Sequence, residues 1–275
     1  MMSFLHKLTG LLINIISLFS SRIAGRIALF LFTKPFKGKP NEKQSDFLDT
    51  AFREELKLDN TPIMTYRWLG KKQTILLAHG WESNSARWQD LITNLKKRDY
   101  GVVALDAPAH GRSGSNRFNA IIYSEFIKVA SERFEPNIII GHSVGGMASA
   151  YFQFKYQKEY IQKMILLGAP SEFKDVLERY SNMLGYNKRV RKQINQIIQE
   201  RFGNAPEEYS TAKCFEQIIA KGLIIHDKED TIIPYNDAIQ IQAKYKNSVL
   251  ITTEGFGHSL INDEVSNYIY EFLDN

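Results

Sequence analysis

The chain alternates short apolar runs with longer amphipathic stretches. Apolar runs that end at a glycine or a polar residue occur at 74–78, 102–105, 137–140, 164–167, 223–225 and 249–252. Stretches with helical periodicity lie at 84–98, 119–134, 145–158, 235–246 and 259–273. Apolar strands that are separated by helices are typical of a mostly parallel sheet with helices on both faces. The pattern therefore predicts an α/β fold with a mostly parallel central sheet.

Residues 171–215 break this rhythm, because they contain many charged side chains and no run of strand character. We expect two or three helices there, inserted between strands as a small cap over the carboxyl edge of the sheet. An ordinary long helical connection is the alternative. The chain would then consist of an N-terminal segment, 1–36, and an α/β domain, 37–275, whose cap insertion covers about 171–215.

The N-terminal segment is largely apolar over residues 4–32, although Arg22 and Arg26 interrupt it. Its uninterrupted stretch of about a dozen residues is short of the roughly 20 that span a bilayer as a helix. Wound as one helix, the segment separates into two faces. The small or polar face contains Gly10, Asn14, Ser17, Ser21 and Gly25, and the apolar face contains Leu5, Leu12, Ile16, Phe19 and Ile23. The sequence thus predicts an amphipathic N-terminal helix.

Three interpretations of this helix are open. It could lie in a membrane surface, attracted to anionic lipid by its basic residues. It could pack on the protein itself or on a partner. It could also be a signal peptide or signal anchor, although no Ala-x-Ala cleavage site follows it. We expect a cytoplasmic protein at the inner face of a membrane, with export or anchoring through residues 1–36 as the alternative.

Charge is concentrated at the N-terminus. The chain has 35 Lys and Arg against 30 Asp and Glu, a net charge of +5. Residues 1–44 contain seven basic residues and one acid, which leaves 28 basic and 29 acidic residues in 45–275. The main domain is therefore close to neutral and gives no basis for nucleic-acid binding. Cys214 is the only cysteine, so no intramolecular disulfide can form, and we expect it to fill apolar space.

Gly141-His142-Ser143-Val144-Gly145 matches the pattern Gly-x-Ser-x-Gly and lies between an apolar run and a helix-compatible stretch. A serine at a sharp strand-to-helix turn has a strained backbone, and glycines two positions away on either side remove the resulting clashes. Such a turn exposes the hydroxyl group. We therefore predict that Ser143 is a nucleophile.

A serine hydroxyl needs a base to become an effective nucleophile. His258 lies in a glycine-flanked loop after the last predicted strand, and we assign it as that base. His142 belongs to the serine turn and is expected to point away from the position of the base. The other four histidines lie in the N-terminal segment or at the ends of earlier strands: His6, His79, His110 and His226.

The base in turn needs a carboxylate that fixes its tautomer and stabilises the imidazolium. Three acids follow the apolar run at 223–225: Asp227, Glu229 and Asp230. Asp230 lies furthest into the loop, before an apolar pair and Pro234, and is our candidate. Asp227 is expected to bond to local backbone, and it remains an alternative together with Glu229.

An oxyanion that forms when serine attacks a carbonyl requires hydrogen-bond donors. The N–H of Val144 lies at the start of a helix, where it can bind developing negative charge. His79-Gly80-Trp81 follows the first of the predicted strands, and Gly80 lets this backbone approach a substrate closely. We predict that the N–H groups of Trp81 and Val144 form an oxyanion hole.

These motifs, in this order, resemble the α/β-hydrolase fold family over roughly residues 63–273. The oxyanion motif at 79–81, the serine turn at 141–145, the acid loop at 230–234 and the histidine loop at 257–258 are similar to the family's parts. Residues 106–115 resemble its Asp-x-Pro-x-x-Gly-x-Ser loop, which the resemblance implies is structural, with His110 where the family often has glycine. The resemblance implies a small-molecule acyl substrate and no cofactor, and the sequence shows no metal-ligand cluster.

Together these features predict a serine hydrolase that cleaves a carboxylic ester through an acyl-enzyme intermediate. Thioester hydrolysis and a serine-aminopeptidase-like activity use the same machinery and remain alternatives, because a fold does not determine a substrate. A non-catalytic protein that binds a membrane surface on a hydrolase scaffold is the alternative from a different functional class.

Overall fold

A single mixed sheet forms the centre of the computed structural model, which describes residues 2–275. Within that range its eight strands follow the order β1-β2-β4-β3-β5-β6-β7-β8. β2 runs antiparallel to both β1 and β4, and every other neighbouring pair is parallel. The strands are β1 Phe52–Leu58, β2 Thr61–Trp68, β3 Thr74–Ala78, β4 Gly101–Leu105, β5 Ile138–His142, β6 Lys163–Leu167, β7 Lys221–Asp227 and β8 Ser248–Thr253.

The helices of the described residues surround this sheet or form a second cluster. They are α1 Met2–Phe19, α2 Ser21–Thr33, α3 Glu42–Leu48, α4 Gln89–Lys97, α5 Ala120–Phe134, α6 Val144–Tyr156, α7 Phe173–Leu184, α8 Lys188–Phe202, α9 Thr211–Cys214, α10 Tyr235–Lys244 and α11 Asp263–Asp274. Short 3₁₀ turns cover Ser85–Trp88 and Pro206–Glu208. The predicted α/β fold with a mostly parallel sheet is confirmed.

All six apolar runs form the strands β3 to β8, but the sequence interpretation missed β1 and β2. These two strands form an antiparallel hairpin in which Leu58 pairs with Thr61. β1 is largely exposed and rich in charge, so it lacks the continuous apolar character of a strand that is buried on both faces. The available signal was the alternation of Glu54, Leu56 and Leu58, whose side chains are its more buried ones, before the turn at Asp59.

Apolar clusters with residues from helices lie on both faces of the central strands. Successive side chains of a strand point to opposite sides, so each strand contributes residues to both clusters. On one face, Leu76 and Ile139 belong to an apolar cluster with Phe126 of α5 and Phe152 of α6. That cluster also contains the buried Cys214 of α9. On the other face, the cluster contains Ile75 and Ile140 of the sheet, Leu91 of α4 and Ile269 of α11. The apolar runs of β3 to β7 are apolar throughout because neither face of these strands meets water, whereas β8, at the edge of the sheet, exposes Val249.

The described residues form two compact units. The larger one contains residues 35–171 and 211–275, and therefore the whole sheet. The smaller one consists of the described residues up to 34 together with 172–210, which contribute the helices α1, α2, α7 and α8. Its apolar cluster includes Ala24, Ala28 and Leu29 of α2 and Val190 and Ile194 of α8.

Residues 1–36, expected to form one helix, contain two. The break lies at Ser20, whose extended backbone ends α1 and whose hydroxyl accepts a hydrogen bond from the N–H of Ile23. Serine is a preferred N-cap, because its side chain pairs a backbone donor that the first helical turn leaves free. Among residues 2–275, no helix is long and apolar enough to cross a membrane.

Candidate active site

Ser143 occupies the turn between the end of β5 and the first residue of α6. Its φ of 54° and ψ of −127° lie in a region that costs a non-glycine residue about 1–3 kcal/mol. The turn is closely packed, because a Cβ on Gly141 would lie 2.6 Å from the Cα of Gly146 and a Cβ on Gly145 would collide with the carbonyl of Ala78. The glycines on either side of Ser143 therefore allow the strained turn, as the sequence pattern indicates.

The side chains of Ser143, His258 and Asp230 form a continuous hydrogen-bonded chain. His258 Nε2 lies 3.0 Å from Ser143 Oγ, and His258 Nδ1 lies 2.7 Å from Asp230 Oδ2. Since a carboxylate only accepts, Nδ1 of the neutral imidazole carries the proton and Nε2 accepts from the serine hydroxyl. The structure thus brings together the three residues that sequence reasoning singled out from distant parts of the chain.

Asp230 is buried, and both of its oxygens are occupied. Oδ1 accepts hydrogen bonds from the N–H groups of Ile232 and Ile233 at 2.8 and 2.9 Å. Oδ2 faces His258 and also lies 3.4 Å from His226 Nε2. Burial by itself raises the pKa of this carboxyl, but the hydrogen bonds from His226, His258 and Ile233 outweigh burial and hold the pKa below its usual range. Asp230 is therefore a carboxylate.

Asp227 has a different set of partners. Its Oδ1 accepts from the N–H of Glu229, and its Oδ2 accepts from the hydroxyl of Thr253 and the N–H of Phe256. These bonds connect the end of β7 to the loop that follows β8. Asp227 thus bonds to local groups, as expected, and Glu229 is exposed on the same loop. Of the three acids, it is Asp230 that contacts His258.

The loop after β3 passes directly beside Ser143. A Cβ on Gly80 would lie 3.1 Å from the Cβ of Ser143 and 2.8 Å from His142 Nδ1, so only glycine fits this close approach. Trp81 follows immediately, and Val144 begins α6, where a first-turn N–H has no acceptor within the helix. The two predicted donors therefore belong to the two segments that adjoin Ser143.

Comparison with known proteins agrees with this architecture. A family model described as serine aminopeptidase, S33, matches residues 70–201, just under half of the chain. A membrane phospholipase A of known structure, with 16% sequence identity, superimposes with a TM-score of 0.65 over 84% of this chain and 89% of its own. The chain therefore has the α/β-hydrolase fold.

Two further proteins, one found by sequence and one by structure, are also similar to this chain. A bifunctional esterase/perhydrolase of Acinetobacter calcoaceticus is 24% identical over 238 residues, which cover 69% of this chain and 86% of the relative. An esterase from Exiguobacterium antarcticum superimposes with a TM-score of 0.63 at 16% identity, over 79% of this chain and 97% of its own. These identities are low, so the structural likeness establishes the hydrolase fold and leaves the substrate undetermined.

Two buried histidines fix the loop that contains Trp81. His79 Nε2 accepts from the N–H of Ala107, so its Nδ1 is protonated and donates to the carbonyl of Gly80. His110 Nε2 accepts from the N–H of Glu82 at 2.9 Å, and its Nδ1 donates to the carbonyl of Pro108. His110, which departs from the common family pattern, therefore orients the backbone on the far side of Trp81. The sequence interpretation missed this contribution because it depends on contact between two loops.

Asp106, which directly follows β4, forms hydrogen bonds to the same two loops. One oxygen accepts from the hydroxyl and the N–H of Ser85, and the other accepts from the hydroxyl of Tyr66 and the N–H of Arg112. A Cβ on Gly111 would overlap the Asp106 carboxyl group. These contacts are structural, which is the role that the resemblance implies for residues 106–115.

His142 and Arg87 support the loop that contains His258. His142 Nε2 donates to the carbonyl of His258 at 2.8 Å, and the two rings lie 4.9 Å apart. Arg87 Nη2 donates to the next carbonyl, that of Ser259, at 2.9 Å. The expectation that His142 points away from the base was wrong. The turn at Ser143 directs the preceding side chain against the backbone of the histidine loop, and a sequence pattern does not show this orientation.

We predict that stability falls as the pH drops below about 6.5. Burial lowers the pKa of His79, His110 and His142 in the folded state, whereas in the unfolded chain these groups take up protons near pH 6.5. The unfolded state then binds more protons, so each histidine removes up to about 1.4 kcal/mol of unfolding free energy per pH unit. Urea denaturation at pH 7.5, 6 and 5 measures this slope.

In the same experiment, His142→Gln should reduce the slope by about one third. An unfolding free energy that stays constant between pH 7 and 5 would show that these imidazoles are not buried as neutral groups.

Proposed function

We propose that this protein is a serine hydrolase that cleaves a carboxylic ester through an acyl-enzyme intermediate. The observation that supports this proposal most strongly is the hydrogen-bonded chain from Ser143 Oγ through His258 to Asp230, with atom separations of 3.0 and 2.7 Å. Both lie within the distances over which a base and its orienting group act. Sequence relatives that include esterases and a monoacylglycerol lipase of Mycolicibacterium smegmatis favour an ester as substrate.

In the first half of the reaction, Ser143 Oγ attacks the carbonyl carbon of the ester while His258 Nε2 takes the hydroxyl proton. The new C–O bond converts the carbonyl oxygen to an oxyanion. When the tetrahedral intermediate collapses, His258 returns the proton to the leaving alkoxide, and an alcohol departs. Asp230 stays ionised throughout, because its role is to hold Nδ1–H and stabilise the imidazolium.

In the second half, a water molecule replaces the alcohol. His258 takes a proton from the water as it attacks the acyl carbon, and the proton then moves to Ser143 Oγ when the acyl-enzyme bond breaks. The products are a carboxylic acid and the free enzyme. The same sequence of steps hydrolyses a thioester or an amide, so the acyl class of the substrate depends on the pocket.

The oxyanion in both halves requires donors that are fixed before the reaction begins. We propose the N–H groups of Trp81 and Val144, each worth roughly 2.7–4 kcal/mol in the transition state. Three features support this assignment: Gly80 passes so close to Ser143 that an added Cβ would lie 3.1 Å from the Ser143 Cβ, His110 accepts from the N–H of Glu82, and α6 begins at Val144. Preorganised backbone donors act without reorganisation when the charge develops.

Replacing the nucleophile should abolish activity. Ser143→Ala should lower kcat/KM by at least about three orders of magnitude, because the remaining groups cannot form the acyl-enzyme. A panel of short- and long-chain p-nitrophenyl esters, thioesters and aminoacyl amides measures this loss and identifies the preferred acyl class.

A fluorophosphonate probe gives an independent readout of the same serine, and it should label the wild type and leave Ser143→Ala unlabelled. Preferential turnover of aminoacyl amides would favour the aminopeptidase alternative, which the family description also suggests. An unlabelled wild type with no turnover in any class would contradict the catalytic proposal and favour the non-catalytic binding protein.

Substitutions can distinguish the role of Asp230 from that of the neighbouring acid Glu229. Asp230→Asn should lower kcat by roughly three to four orders of magnitude, since an amide no longer fixes the productive tautomer of His258. Glu229→Gln, at the exposed adjacent position, is the matched control and should stay within about twofold of the wild type. Equal losses in both variants would argue against a specific role for Asp230.

His142 is predicted to be a positioning residue. His142→Phe keeps a ring but loses the donor to the His258 carbonyl, and we expect kcat to fall about tenfold with KM little changed, which corresponds to about 1.4 kcal/mol in the barrier. His142→Gln retains a donor at a similar distance and should recover most of the rate. A loss that Gln does not rescue would indicate that the ring only fills space.

A further inference from the structure

Helix α1 packs with its polar side against its own unit. Asn14 Nδ2 donates to the carbonyl of Gly185 at 2.9 Å, and Asn14 Oδ1 accepts from the N–H of Asn187 at 2.9 Å. Ser17 Oγ accepts from Asn187 Nδ2 at 3.0 Å. A Cβ on Gly10 would collide with the carbonyl of Leu184, so the helix backbone touches the end of α7 there. The small and polar face identified in the sequence is therefore the face that is buried.

The apolar residues of α1 point the other way. We define the outer face of α1 as Leu5, Leu8, Leu12, Ile15, Leu18 and Phe19, whose exposed fractions range from 40% to 88%. These positions recur at intervals of three, four and seven residues, so they form a broad continuous stripe. Within the described side chains of this helix, Lys7 is the only exposed residue that is polar.

Helix α2, by contrast, buries apolar residues and exposes its charged ones. Ala24, Ala28 and Leu29 are buried in the apolar cluster with residues of α8, while Arg22 and Arg26 are exposed. α2 therefore buries an apolar face and does not share the inversion of α1, although its Ile23 is 53% exposed. A contiguous apolar stripe of this size on a protein surface indicates an interaction site, because the exposed carbon is unfavourable in water.

The charges around the stripe determine what kind of surface covers it. α1 and α2 contain Lys7, Arg22 and Arg26 and no Asp or Glu. Arg22 pairs with Glu200 at 3.1 Å, so the exposed side chains of Lys7 and Arg26 supply the positive charge. A second copy of the chain in a two-fold symmetric contact would place the same basic side chains near each other. An apolar stripe on a helix pair that contains basic and no acidic residues matches the acyl and headgroup layers of an anionic bilayer.

We propose that the outer face of α1 docks this protein on the surface of an anionic lipid bilayer. The helix lies in the plane of the interface, with the apolar stripe among the acyl chains and Lys7 and Arg26 close to the lipid phosphates. Asn14 and Ser17 hold the helix on its unit through the polar face, so the apolar face is available without unfolding. This docking does not depend on the catalytic proposal.

Vesicle co-sedimentation of the full chain tests the proposal. The wild type should bind vesicles of mixed phosphatidylglycerol and phosphatidylcholine more tightly than vesicles of phosphatidylcholine alone. The triple variant Leu8→Gln, Leu12→Gln, Ile15→Gln should weaken binding at least about thirtyfold, because three apolar side chains no longer enter the interface. The matched control replaces three apolar residues that are exposed elsewhere, Leu69→Gln, Ile219→Gln, Val249→Gln, and should bind like the wild type.

Two more sets of variants test whether vesicle binding depends on the basic residues and whether it depends on the proposed nucleophile. Lys7→Gln and Arg26→Gln should each weaken binding to the anionic vesicles about fivefold at low salt, since a basic residue near such a surface contributes about 1 kcal/mol. Ser143→Ala should bind like the wild type, so a failure of the catalytic proposal is distinguishable from a failure of docking. Unchanged circular dichroism and melting temperature show that each variant is folded.

Three results would overturn the proposal. The first is no binding of the wild type to the anionic vesicles, and the second is equal binding by the wild type and the α1 triple variant. The third is a concentration-dependent dimer in light scattering that the α1 triple variant abolishes and the control retains, because a second copy of the chain would then cover the outer face.

Discussion

The left-handed backbone at Ser143 is the constraint around which the larger unit is arranged. A φ of 54° at a non-glycine residue persists only where the surroundings fix it. Here β5 and α6 supply both sides of the turn, and Gly141 and Gly145 make room for it. Because β3 to β8 are parallel neighbours, their carboxyl ends meet at one edge of the sheet. The loops that contain Trp81, Asp230 and His258 therefore reach the same serine, although they are far apart in sequence.

A buried polar network keeps those loops in place. Asp106, His79 and His110 connect the loop after β3 to the loop after β4, and Asp227 connects the loops after β7 and β8. His142 adds a bond to the carbonyl of His258. Buried polar groups stabilise a single arrangement only when they form hydrogen bonds. Here, most of the backbone groups that bond to these side chains belong to the loops of the candidate site. The rigidity of the candidate site thus comes from groups that take no part in the proposed chemistry.

The parts of the molecule that follow from local pattern could be predicted from sequence. Buried strands are apolar on both faces, so β3 to β8 were visible, as was the glycine pattern around Ser143. The hairpin of β1 and β2 was not predicted because β1 is exposed and charged and therefore resembles a loop. The helical wheel separated the two faces of α1 but did not show that the polar face, with Asn14 and Ser17, is the buried one. The roles of His110, His142 and Arg87 depend on contacts between loops, and such contacts leave no periodic signal in a sequence.

The most direct test of the central claim is the tautomer of His258, measured by nitrogen-15 NMR on histidine-labelled protein near pH 8. The hydrogen bond from Nδ1 to Asp230 and the acceptor role of Nε2 toward Ser143 predict a neutral ring that is protonated at Nδ1. The Ser143→Ala variant should show the same tautomer, because Asp230 determines it. A neutral ring protonated at Nε2 in the wild type would contradict the account, since that nitrogen could not then accept the proton of the serine hydroxyl.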